Sequence, residues 1–203
     1  MELVVVSILL VLVVALIGAI VSLNKRRYYF LLLACPLVLA TSIAGYKVYE
    51  RSFHLSFVPD ALGVSSITYT KEESWGFGPG GNEAGIRLYR LPDSTAEQIE
   101  KLGIGYFLNL PPNYNQQSRR WRGLYKSWSA TPIREDRRWR RSEGELQVYD
   151  YVCRYGFCIS IDRDVLTQVT GIINSEGSYY AYGRVGAIVV SPSNRLVVYL
   201  YNG

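Results

Sequence analysis

The chain has 203 residues, with 22 Lys and Arg against 17 Asp and Glu, one His and three Cys. That length suits one domain with an appendage. The composition excludes a disordered chain and a disulfide-dense scaffold, and a single imidazole excludes a multi-histidine metal centre.

The first elements are apolar. Residues 3–23 carry no charge, and neither do residues 28–46. At about 1.5 Å per residue they would reach roughly 32 Å and 28 Å as helices, both spanning lengths. With Asn24-Lys25-Arg26-Arg27 as a short link, they predict a transmembrane hairpin over residues 1–51. An acidic Met1-Glu2 start speaks against a signal peptide, and Leu32-Leu33-Ala34-Cys35 has too short an apolar lead for a lipidation box. The three cations of the link, set against Lys47 and Arg51 beyond the second span, favour a cytoplasmic link. Both termini and residues 52–203 would then lie on the periplasmic side of a bacterial inner membrane. Small residues four apart (Ala15 and Ala19, Gly18 and Ser22, Ala40 and Ala44) would let the helices approach closely. Neither span holds an ionisable group, so the hairpin would be an anchor and not a transport path.

Beyond Arg51 the pattern changes to short alternating runs. Residues 53–58 end at Pro59 and predict a short strand, as do residues 64–70 and 85–91, the last stopped by Pro92. Asp93 or Ser94 as N-cap and Gly103 beyond Leu102 predict a helix over 94–102. Residues 105–110 predict another strand, and residues 113–145 a long basic excursion. Residues 146–153 and 158–162 alternate and predict a hairpin. Val165, Leu166, Val169, Ile172 and Ile173 predict a helix over 164–174. Residues 186–190 and 196–201 predict a closing hairpin around Ser191-Pro192-Ser193-Asn194. The expected fold class is α+β: the hairpin, then a mainly antiparallel sheet with two short helices.

Cys35 reads as a small apolar filler. Cys153 and Cys158 would face each other across the predicted hairpin, near the separation that a disulfide requires. A metal site there would need further Cys or His that the chain lacks.

Residues 119–141 are the sharpest anomaly, with nine cations against Glu135 and Asp136 where the whole chain carries only +5. Arg119, Arg120, Arg122, Arg137, Arg138, Arg140 and Arg141 are interleaved with Trp121, Trp128 and Trp139. Arg and Trp are favoured at protein interfaces, and the same mixture suits anionic lipid or a cell-wall polymer. Nucleic acid is the weakest of these partners for an exported domain. A homo-oligomer is a further way to cover such a surface.

The stretch from Trp75 to Asn82 contains G-x-G-x-x-G at Gly76, Gly78 and Gly81, with Gly80 beside them. A dinucleotide fingerprint needs a helix directly after it, whereas a strand follows here. A hairpin loop is the simpler reading, with backbone amides available to a ligand. No cofactor is expected. His54 is alone, and no Ser/His/Asp or Cys/His set forms. Glu72, Glu73 and Glu83 are weak candidates for carboxylate chemistry, since a glycosidase pair is defined by spatial separation.

The sequence therefore predicts a membrane-anchored, non-enzymatic accessory protein whose exported domain contacts a protein partner or an anionic envelope surface. A carboxylate-dependent envelope hydrolase is the first alternative. A reversed topology, with a cytoplasmic basic domain on anionic lipid or nucleic acid, is the second.

Overall fold

A computed structural model describes residues 25–75, 83–134, 137–139, 144–156 and 158–203, together with Val11, Val13, Val14, Ile17 and Gly18; for residues 25–35 it describes the backbone alone. The chain divides into two compact units, Met1–His54 and Leu55–Gly203.

The first unit overturns the transmembrane hairpin. Helix α1 (Lys25–Leu55) runs unbroken for 31 residues, so Lys25, Arg26 and Arg27 open a helix where a tight link was expected. Among the described residues no helix is long and apolar enough to cross a membrane. The expected span 3–23 lies outside the described residues except at five positions, and in 28–46 the described side chains begin at Pro36. Pro36, Thr41, Ser42 and Gly45 interrupt that stretch, and Lys47, Glu50 and Arg51 close it. The integral-membrane, periplasmic placement built on the hairpin falls with it. Within α1, Thr41 turns its hydroxyl back to the carbonyls of Leu37 and Val38, and Lys47 donates to Glu50 at 2.9 Å.

The second unit is α+β, as expected. After a 3-10 turn (Asp60–Leu62) come β1 (Ile67–Ser74), β2 (Glu83–Arg90), α2 (Asp93–Leu102), α3 (Gly105–Leu108), α4 (Gln116–Arg119) and β3 (Lys126–Ala130). Then follow α5 (Val148–Val152), α6 (Arg163–Asn174), β4 (Tyr179–Tyr182), β5 (Gly186–Ser191) and β6 (Leu196–Asn202). The strands form one antiparallel sheet in the order β1-β2-β6-β5-β4-β3.

Burial within the sheet follows position. The outer strand β1 alternates between half-buried and exposed, whereas β5 is buried throughout and β2 and β6 nearly so. The central strands must therefore be covered on both faces, since successive side chains point to opposite sides. On the first face Ile86, Leu88, Val189, Val198 and Leu200 pack with Val148, Val152, Val169 and Ile173 from α5 and α6. On the second face Tyr199 stacks on Phe57 at 5.0 Å between ring centres, and Tyr179 meets Phe107 at the same distance. Two glycines are required here. A Cβ on Gly85 would run into the Tyr201 ring, and one on Gly186 would stand 2.5 Å from the Leu200 carbonyl oxygen.

Four local expectations are corrected. Residues 53–55 complete α1, and residues 105–108 are the helix α3. Residues 148–152 form α5, because Gln147 and Asp150 make a reciprocal capping box and Val148, Tyr151 and Val152 bury one helical face. Among the described residues no strand pairing joins 146–153 to 158–162. Cys153 and Cys158 are nevertheless at disulfide distance, with Cα atoms 4.5 Å apart, because Cys153 caps α5 and the chain turns back at once.

Candidate functional site

The basic segment is two structures. Its first half is tied into the fold around the chain that follows α1. Arg119 pairs with Asp60 at 2.6 Å, and Arg122 donates from Nε to the Ser56 hydroxyl at 2.8 Å. Asp60 also accepts from the Tyr114 backbone N–H, while the Asp60 N–H donates to Asn113. Asn113 is buried and donates to the Gly123 carbonyl at 2.9 Å. Trp121 packs edge-on to Phe57, and Trp128 stacks on Phe107 at 4.3 Å. Arg119, Trp121, Arg122 and Trp128 thus close the second face of the sheet, and of this half Arg120 points to solvent.

The second half leads to a cleft. Trp139 is 4% exposed and donates its indole N–H to the Tyr182 hydroxyl at 2.7 Å. That anchor leaves Arg137 and Arg138 exposed, and the Arg138 guanidinium lies over the Tyr182 ring at 4.1 Å. Arg138 lines a cleft of about 250 Å³ together with Arg154 and Arg184, the rings of Tyr151, Tyr155 and Tyr182, and the chain around Gly183 and Gly203. Arg154 and Tyr155 stand in the turn closed by Cys153 and Cys158, with the guanidinium 5.6 Å from the Tyr155 ring. Arg184 stands at the tip of the β4–β5 turn, which the Gly183 N–H closes on the Gly186 carbonyl at 2.7 Å. No acidic side chain lines the cleft among the described residues. Arg140, Arg141 and the glycines Gly76, Gly78, Gly80 and Gly81 lie outside the described residues.

A second polar cluster is buried on the sheet. Arg87 is 3% exposed, which is rare for a charge unless it is paired. It pairs with Glu72 on β1, and Glu72 also accepts from the Tyr201 hydroxyl. The guanidinium plane lies 4.7 Å from the Tyr201 ring and 5.2 Å from the Phe57 ring, so aromatic rings flank it. Among the described residues its Nε and Nη1 are buried without a protein acceptor, as is the Tyr199 hydroxyl. Burial pushes the phenols of Tyr89, Tyr125, Tyr199 and Tyr201 well above the usual tyrosine range; for Tyr89, Tyr199 and Tyr201 the positive charge of Arg87 opposes part of that rise.

The three candidate carboxylates are not gathered into one site. Glu72 and Glu73 are successive strand residues and point to opposite faces of β1. Glu73 reaches Lys71 at 3.8 Å, and Glu83 pairs through its backbone with Gly203. Glu72 and Glu83 do share a face, as diagonal neighbours across β1 and β2, but Glu72 is held by Arg87 and Tyr201. Among the described residues no three His, Cys, Asp or Glu side chains come together as a metal site.

Sequence reasoning missed Arg154 and Arg184 because each is isolated along the chain. Their signal was local: Arg154-Tyr155-Gly156 and Tyr182-Gly183-Arg184 each set a cation beside an aromatic ring and a turn glycine. No protein-family model, curated protein or solved structure matches this chain.

Proposed function

We infer that the Leu55–Gly203 unit is a non-enzymatic interaction module that recognises an acidic partner protein. The observation that carries this reading is the cleft, where Arg138, Arg154 and Arg184 come from three separate segments and no described carboxylate joins them in the lining. A cation surplus held by rigid turns attracts acidic segments at long range and favours them over basic ones. The tyrosine rings supply flat contact area at low conformational cost. The volume also fits a binding role. It lies below the roughly 300–1,000 Å³ that drug-sized ligands occupy, so it suits a side chain presented by a larger molecule.

A labelled hexaglutamate peptide tests this on the full chain by fluorescence anisotropy. Binding is expected at low ionic strength, weakening as salt screens it. The triple variant Arg138→Ser, Arg154→Ser, Arg184→Ser is expected to abolish it, and a folded variant that binds as well as the parent would sink the reading.

A further inference from the structure

We propose that the Arg138–Arg154–Arg184 cleft is a phosphate-monoester site that takes the phosphoryl group of a phosphorylated side chain on the partner. This rests on the acidic-partner reading above and narrows it.

Charge is the first reason. Three guanidinium groups line the cleft, and a single carboxylate carries less charge than Arg154 and Arg184 alone present. A phosphate monoester carries about −1.5 to −2 near neutral pH and three acceptor oxygens. Size is the second. A cleft of about 250 Å³ has room for about eight waters at about 30 Å³ each, more than a bare carboxylate needs and enough for a phosphoryl group with part of its side chain. Arginine chemistry is the third, because the planar fork matches phosphate oxygens and bonds to them are charge-assisted.

Preorganisation is the fourth. Arg138 rests on Tyr182, whose hydroxyl is held by the buried Trp139. Arg154 is confined by the Cys153–Cys158 turn, and Arg184 by the bond from Gly183 to Gly186. Tyr155, 64% exposed, stands as an open ring against which an incoming side chain can lie.

The test uses the full chain and one short Gly/Ala probe peptide carrying Ser, Glu, phosphoserine or phosphotyrosine at its centre, at fixed ionic strength. The phosphorylated peptides are expected to bind about ten-fold tighter than the Glu peptide. Their affinity is expected to rise as the pH passes the second phosphate ionisation near 6. Arg154→Lys, which keeps the charge and loses the fork, is expected to reduce the preference for phosphate over Glu. Equal binding of the Glu and phosphorylated peptides would overturn the phosphate assignment and leave the acidic-partner reading standing. Failure of every peptide, together with hexaglutamate, would overturn both. Inorganic phosphate competing as strongly as the phosphopeptides would assign the cleft to a free phosphate and overturn the partner side chain.

Discussion

Two groups of arginines in the Leu55–Gly203 unit stand in different surroundings. Arg87, Arg119 and Arg122 each have an acceptor side chain within reach: Glu72, Asp60 and Ser56. Arg154 and Arg184 have no acidic partner among the described residues, and Arg138 reaches the cleft from the far side of an indole anchor. The first set holds the aromatic face of the sheet closed. In the second, Arg154 and Arg184 line the cleft proposed above to meet an acidic partner. Composition treats these arginines alike; Arg154 and Arg184 differ from Arg87, Arg119 and Arg122 in that, among the described residues, no carboxylate lines their cleft. A buried charge without one is costly, and an exposed one is not.

This contrast can be broken in four ways, the substitutions running from the largest effect to the smallest. Glu72→Gln removes the charge that compensates Arg87. A loss of about 3 kcal/mol is expected, the low end of the range for breaking a buried pair because Glu72 still reaches water. Urea denaturation reads it, and an unchanged midpoint would place Arg87 in the exposed set. Replacing Cys153 and Cys158 by Ser opens the turn that carries Arg154 and Tyr155. About 2 kcal/mol of stability should go with so short a loop, and phosphopeptide affinity should fall several-fold because one wall of the cleft is released. Affinity that survives the double change would show that the turn holds its shape unaided.

Alkali tests the aromatic face. Tyr89, Tyr125, Tyr199 and Tyr201 have phenols raised by burial. The unfolded chain therefore loses their protons first, near pH 10, while the folded chain keeps them. Stability is then fully present below pH 10 and declines above it by about 1.4 kcal/mol per pH unit for each such phenol. A thermal midpoint flat between pH 9 and pH 11.5 would contradict that burial. Arg184→Ser is the smallest change to the fold, expected within about 0.5 kcal/mol as for other exposed positions. Its effect should appear in peptide binding alone, and a marked loss of stability would move Arg184 into the structural set.

Much of the sheet was legible in the sequence. Arg87 and Arg90 alternating with apolar residues and stopped by Pro92 marked β2, and the apolar spacing from Val165 to Ile173 marked α6. The hairpin of β5 and β6 also came through, since Val and Ile runs around Pro192 permit little else. The segment 146–153 was not legible, because Val148, Tyr151 and Val152 satisfy both an alternating and a helical period over so few residues. There the capping box decides. Arg87 was misjudged for a related reason. Alternation suggested a strand with one wet face, and nothing local told that Phe57 and Tyr201 would cover the other. Half of the basic segment was read as a contact surface when Asp60 and Ser56, distant along the chain, claim its cations. The cleft needed three turns to converge, which no linear pattern records.

The two outer strands have a further consequence. In both terminal pairs the register slips, between Ile67 and Tyr69 on β1 and between Lys126 and Ser129 on β3. A slipped margin shortens the regular row of amides and carbonyls open to another polypeptide, and the ionic side chains of Lys71, Glu73 and Lys126 discourage stacking beside it. Growth of the sheet by a borrowed strand, whether from a second copy or from a ligand, is thereby disfavoured at either margin. The cleft proposed above would instead meet its partner through side chains at the end of the sheet.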